Sequence, residues 1–165
     1  PYMRPSKLAS DTSPMVEVVF HALEYLKENE GYEPDAVMLL QPTSPLRKLE
    51  HIDKAIGLLE DNDAVCALVR IPMVMSPYCV MKITDKGYVN YFLEEGRQIK
   101  RRQDAPKAFL REGTVYLTTV MALYKYKDFY GKSCIPMVLP NEESLSIDSL
   151  EDWALAKEIL TNKSN

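Results

Sequence analysis

An α/β fold with a mostly parallel sheet is predicted by three observations. A helical stripe of Val16, Val19, Phe20, Leu23 and Leu26 leads into the short apolar run Ala36-Val37-Met38-Leu39-Leu40. A second stripe, Ile52, Ala55, Ile56 and Leu59, leads into a second apolar run at 63–69. Short runs without polar alternation suit strands covered on both faces. Their order, helix–strand–helix–strand, implies right-handed crossovers within one sheet.

The first helix is expected at 14–28, with Ser13 as N-cap and Pro14 in the first helical position. Glu30-Gly31 stops it, and a strand follows at 35–40. The segment Gln41-Pro42-Thr43-Ser44-Pro45-Leu46-Arg47 then breaks regular structure through its two prolines. A second helix is expected at 49–60 and a second strand at 63–69. The middle changes character: 71–77 is rich in proline and methionine, and 82–92 reads as a hairpin turning at Asp85-Lys86-Gly87. Residues 94–107 are highly charged and include Arg97, Lys100, Arg101, Arg102 and Lys107. Strand character resumes at 114–117. A last strand is expected at 135–139, at an edge or bulge because of Pro136. A helix at 150–160 and a polar tail close the chain.

Composition narrows the function class. A length of 165 residues is enough for one domain with a real core. With 46% hydrophobic and 27% charged residues the chain is globular rather than disordered. A net charge of -4 argues against a general nucleic-acid binder, although a phosphate-binding enzyme can carry local basic clusters on an acidic body. No apolar run approaches the ~20 residues of a membrane span, and residues 1–11 lack the apolar core of a signal peptide. The cysteines are Cys66, Cys79 and Cys134, with no C-x-x-C pair. They fit a cytoplasmic location, with Cys66 a buried thiol. The chain opens on Pro1 rather than methionine, so it reads as a fragment with an internal start.

Three segments can carry chemistry. Ligands of open α/β sheets bind at the carboxyl ends of strands. The loop after 36–40 would therefore present Gln41, Thr43 and Ser44, with the charge of Arg47 added. The same residues suit a proline-stiffened turn that caps the next helix, and spacing alone leaves both readings open. Arg101-Arg102 offers forked donors for carboxylate or phosphate, but composition favours a solvated basic surface. In Ser146-Ile147-Asp148-Ser149-Leu150-Glu151-Asp152, Asp148 could hold Mg²⁺. Helix capping by Ser149 or Asp148, with Asp152 favoured by the helix dipole, is the simpler reading. His21 and His51 lack metal-ligand spacing and read as structural or solvated. No glycine-rich phosphate loop and no nucleophile–base pattern occurs.

Taken in order, the motifs resemble those of the acylneuraminate cytidylyltransferase family. The matching segments are Arg4-Pro5 with Leu8-Ala9-Ser10-Asp11, Leu40 through Arg47, Arg101-Arg102-Gln103-Asp104-Ala105-Pro106, Gly113-Thr114-Val115-Tyr116, and Ile147-Asp148 through Asp152. The resemblance implies a three-layer αβα, Rossmann-like nucleotide-diphospho-sugar transferase fold with a β-hairpin dimerisation arm at 74–109. It implies transfer of CMP from CTP to a nonulosonic acid, with Mg²⁺ as cofactor and a homodimer in which Arg102 serves the neighbouring pocket. It places Arg4 and Ser13 at the nucleotide. Gln41, Thr43, Arg102, Tyr116, Phe129 and Tyr130 would meet the sugar acid, and Asp148 the metal. No catalytic residue is assigned.

The chain departs from the family pattern at Ser146, where an acidic metal ligand is expected, and at Glu112, where an Asn is expected. Cys79 stands where a lysine is expected, with Lys82 nearby. The family's opening phosphate loop has no counterpart before Pro1, so the chain alone is expected to be inactive. Alternatives are a cytidylyltransferase for another sugar acid such as 3-deoxy-octulosonate, and a non-catalytic sugar- or nucleotide-binding relative, the latter favoured by Ser146 and by the missing phosphate loop.

Overall fold

A computed structural model describes residues 2–162; Pro1 and residues 163–165 of the polar tail lie outside it. Four α-helices, α1 (Met15–Glu30), α2 (Leu49–Leu59), α3 (Val120–Tyr126) and α4 (Leu150–Asn162), are interleaved with six strands. These are β1 (Ala36–Leu39), β2 (Ala64–Arg70), β3 (Met81–Ile83), β4 (Val89–Tyr91), β5 (Phe109–Thr119) and β6 (Cys134–Leu139). A four-stranded sheet runs β1-β5-β2-β6, and β3 and β4 form a separate two-stranded sheet. The fold is α/β, as the alternating pattern predicts, but the main sheet is mixed rather than mostly parallel throughout. β5 is the reversed member. It pairs antiparallel with β1 in the register Leu39↔Tyr116 to Ala36↔Thr119. Its far end meets the start of β2, where the Thr119 amide donates to the Asp63 carbonyl at 2.9 Å. β6 stands at the end of the sheet order, as Pro136 requires.

The described residues fall into two compact units. One comprises 2–42, Arg47–Cys66 and Gly113–Met137; the other comprises Thr43–Leu46, Ala67–Glu112 and 138–162. In the first, α1 and α3 share a core of Val19, Leu23 and Leu123, with Val16, Phe20, Val37, Val120 and Phe129 packed around it. Leu123 is fully buried, a burial that contributes roughly 1.5–3 kcal/mol. The Phe20 and Tyr124 rings stack at 4.7 Å, and the Lys127 ammonium sits 4.5 Å from the Phe20 centroid. In the second unit the hairpin turns where the sequence predicts. Met81 opposes Tyr91 and Ile83 opposes Val89. The Gly87 amide closes the turn on the Thr84 carbonyl at 2.8 Å.

Several expectations are corrected. Ser13 does not cap α1. Pro14 occupies the boundary, and its carbonyl accepts from the Glu17 and Val18 amides, so the helix begins one residue later. That leaves Ser13 too far out to reach the orphan amides. Its hydroxyl lies 2.8 Å from that of Ser10 and donates to the Lys7 carbonyl. At the other end Gly31 adopts the left-handed conformation. The Gly31 amide donates to the Lys27 carbonyl at 3.2 Å, an αL stop, and the Tyr32 amide returns to the Leu26 carbonyl. The run at 36–40 is half-buried over Ala36–Leu39 and exposed at Leu40 rather than covered on both faces, and β1 ends the sheet order with one ladder partner among the described residues. α3 is an element the sequence reading did not assign. It is seven residues long, and its start is signalled only by Thr119, whose hydroxyl accepts from the Ala122 amide. His51 is structural: it is buried, and its Nδ1 accepts from the Lys48 amide at the start of α2.

Candidate functional site

Gln41 lies two residues beyond the end of β1. Its amide donates to the Gly113 carbonyl at 3.3 Å, continuing the β1–β5 pairing beyond Leu39↔Tyr116. Arg47 holds the same place from the other side. Its Nε donates to the Thr114 carbonyl at 2.7 Å, and its Nη2 donates to the carbonyls of Gln41 and, at 3.4 Å, Gly113. The sequence suggests that Arg47 offers charge to a ligand. The structure corrects this: the guanidinium is part-buried and committed to backbone oxygens.

From that anchor β5 runs through Tyr116, which is 8% exposed. Its ring centroid lies 6.3 Å from that of Phe129 and 6.2 Å from that of Tyr130, the latter edge-on. Three of the residues assigned to the sugar therefore gather into one aromatic group, a geometry suited to an amphipathic carbohydrate face. Polar contacts in the turn at 127–133 aim the two aromatic rings. The Asp128 carboxylate accepts from the amides of Tyr130 and Gly131, both at 2.8 Å. The Asp63 carboxylate accepts from those of Lys132 and Ser133, and the Thr118 hydroxyl donates to the Phe129 carbonyl at 2.7 Å. The Ser133 amide, followed by that of Lys132, holds the Asp63 carboxyl below the usual carboxylate range. Sequence reading missed both aspartates; the signal available is Asp128-Phe129-Tyr130-Gly131, an Asx-type turn spacing. Arg4 is exposed on the segment before α1, and Ser13 is engaged with its own loop as described.

In the second unit the Thr43 carbonyl accepts from the Ile147 amide at 2.9 Å, which joins two motifs far apart in sequence. The Ser44 hydroxyl donates to the Glu112 carboxylate at 3.3 Å, both residues being buried. Asp148 is exposed, and it is its amide that enters the local network. The Asp152 Oδ2 accepts from the Asp148 amide, the Ser149 amide and the Ser149 hydroxyl, while the Asp152 amide donates back to the Ser149 hydroxyl oxygen. This reciprocal cap starts α4, as the capping reading expects of Ser149, and it leaves the Asp148 carboxylate outside the cap.

The Ser149 hydroxyl, then the Asp148 amide, depress the Asp152 carboxyl below its ordinary value. The folded chain binds this proton more weakly than the unfolded chain. The stabilisation is therefore complete above the unfolded value near ~3.9 and is lost as pH falls through the depressed folded value. Acid titration followed by amide exchange should open the Ser149 amide before the amides of α4. Asp152→Asn should remove that acid step.

Arg101 pairs through Nε and Nη2 with the two Asp104 carboxylate oxygens, at 2.9 and 2.8 Å, and Arg97 pairs with Glu94 at 2.8 Å. Arg102 instead lines a cavity of about 190 Å³ with Tyr78, Cys79, Tyr91, Gly96 and Lys100. Among the described residues no group of three or more His, Cys, Asp or Glu is placed to hold a metal ion. A single exposed carboxylate such as that of Asp148 can supply at most one ligand to an ion whose other positions are filled by water or ligand oxygens, a coordination that Mg²⁺ tolerates. No described helix is long and apolar enough to cross a membrane.

No family model matches the chain. It is 29% identical over 162 residues to the CMP-N,N'-diacetyllegionaminic acid synthase of Legionella pneumophila, covering 97% of this chain and 68% of that protein. It is 25% identical over 162 residues to the N-acylneuraminate cytidylyltransferase of Escherichia coli, covering 98% of this chain but 37% of that protein. It is 25% identical over 158 residues to the pseudaminic acid cytidylyltransferase of Campylobacter jejuni, covering 95% of this chain and 67% of that protein. The chain thus spans from just over a third to two thirds of these relatives' lengths. They bear out the resemblance that the motifs carry.

Proposed function

We propose that this homologue of the nonulosonic-acid cytidylyltransferases forms the sugar-facing part of such an enzyme, joining CMP from CTP to a sialic-acid-like sugar. The observation that carries this reading is that relatives named for three different nonulosonic acids align with at least 95% of the chain. In the proposed reaction the anomeric hydroxyl oxygen bonds to the α-phosphorus of CTP. The bond from that phosphorus to its bridging oxygen breaks, pyrophosphate leaves with the electron pair, and the hydroxyl proton passes to solvent. Positioning and electrostatics supply most of the catalysis in such a transfer, so no protein nucleophile is required.

In this reading Gln41, Thr43, Tyr116, Phe129 and Tyr130 meet the sugar acid. Arg102, with Lys100 beside it in the same cavity, meets a carboxylate. Arg4 and Ser13 face the nucleotide, and Asp148 holds Mg²⁺, which when bound neutralises phosphate charge. The working form is a cytoplasmic homodimer with 74–109 as its arm. Ile83, Tyr88 and Val89, all largely exposed on the hairpin, supply apolar surface for that role.

The test is pyrophosphate release by the full-length protein with CTP, Mg²⁺ and a panel of nonulosonic acids. Release with one sugar supports the reading and names the substrate. Silence across the panel, with neither CTP nor sugar binding in calorimetry, overturns it. Gln41→Ala should raise the KM for the sugar about tenfold, the loss of roughly one site hydrogen bond, and leave that for CTP unchanged.

A further inference from the structure

We propose that Arg47 is a positioning residue for the sugar site, acting on Gln41 through backbone oxygens and touching no substrate itself. The inference rests on the cytidylyltransferase reading for its kinetic consequence and on geometry alone for its structural one. Gln41 sits at the strand-to-loop junction, two residues beyond the end of β1. Its amide is held by the Gly113 carbonyl, and its own carbonyl is held by Arg47. Both peptide groups flanking the Gln41 α-carbon are thereby fixed, and with them the direction in which the side chain leaves the backbone.

The same guanidinium binds the Thr114 and Gly113 carbonyls, two and three residues before Tyr116 on β5. One cation therefore joins the residue proposed to hydrogen-bond the sugar to the strand that carries the aromatic wall. A planar fork is needed for this. Nε serves one strand's carbonyl while Nη2 serves the junction, a division that a lysine's single ammonium cannot reproduce. Charge-assisted bonds to carbonyls are also stronger than neutral ones, which suits a part-buried clamp that must hold a loop interrupted by two prolines.

The experiment compares Arg47→Lys and Arg47→Gln in the full-length protein. Both should raise the sugar KM about tenfold while the CTP KM stays within about twofold. Lysine should fail to rescue, because charge without the fork does not span the three carbonyls. A second measurement needs no turnover: the Gln41 amide should exchange with solvent at least about tenfold faster in both variants, while amides of α1 keep their protection as a check on folding. An unchanged sugar KM, an equal rise in both KM values, or unchanged Gln41 exchange overturns the proposal. If the wild-type protein turns over no sugar, the cytidylyltransferase reading fails by itself. The exchange rates then decide the role of Arg47 alone.

Discussion

Replacing Gly131 by alanine is expected to remove about 2–4 kcal/mol of folding stability, against about 1 kcal/mol for the same change at Gly31. The two glycines have nearly the same left-handed backbone, with φ of 61° and 62°. They differ in surroundings. A Cβ at Gly31 meets nothing within 4 Å, whereas one at Gly131 would stand 2.5 Å from the Asp63 Cβ. Asp63 cannot retreat cheaply: its amide donates to the Ser133 carbonyl, its carbonyl accepts from Thr119, and its carboxylate holds two amides of the turn. Relief must come from the turn that carries Phe129 and Tyr130. Denaturant unfolding of the two variants side by side isolates the contact from the backbone strain. Equal losses would show that the turn yields freely and that Asp63 does not orient the aromatic pair.

Gly96→Ala is expected to cost about 2–3 kcal/mol, a cost of overpacking alone, since this glycine's φ is not positive. A Cβ there would lie 2.4 Å from the Tyr78 carbonyl oxygen and 2.7 Å from the Tyr91 ring. The first obstacle is backbone, which does not turn aside as a side-chain tip would. The second is the terminal residue of β4 and a wall of the cavity that Arg102 lines. Thermal unfolding should therefore shift. In addition, amide exchange in β3 and β4 should quicken more than exchange in α1, because the strain enters at the hairpin's base. An exchange pattern raised evenly over the whole chain would place the damage elsewhere.

What the sequence discloses about this molecule follows from the range of the forces involved. The hairpin at 82–92 is legible because its turn is decided by Thr84 to Gly87 acting on one another. The edge position of the last strand is legible because Pro136 lacks an amide wherever it sits. The aromatic group is legible only through resemblance: nothing within 116–130 says that Tyr116 and Phe129 face each other. The role of Arg47 is illegible for a related reason. An arginine after proline-rich sequence reads as free charge, and its targets, Gly113 and Thr114, lie 66 and 67 residues away and are backbone oxygens common to every residue. Ser13 misleads in the opposite way. It is a good capping residue one position too early, displaced because Pro14 takes the boundary. α3 escapes notice because a helix of two turns carries too few apolar positions to establish a period.

Cys66 stands in β2, a strand flanked on both sides in the sheet order, and is 2% exposed, whereas Cys79 and Cys134 are partly open. The chain thus carries its own clock for global opening. An alkylating reagent reaches the two outer thiols from the native state but reaches Cys66 only when the sheet parts. Peptide mapping of the label at Cys66 would read the stability of each variant above from microgram amounts, without substrate, spectroscopic probe or engineered tag.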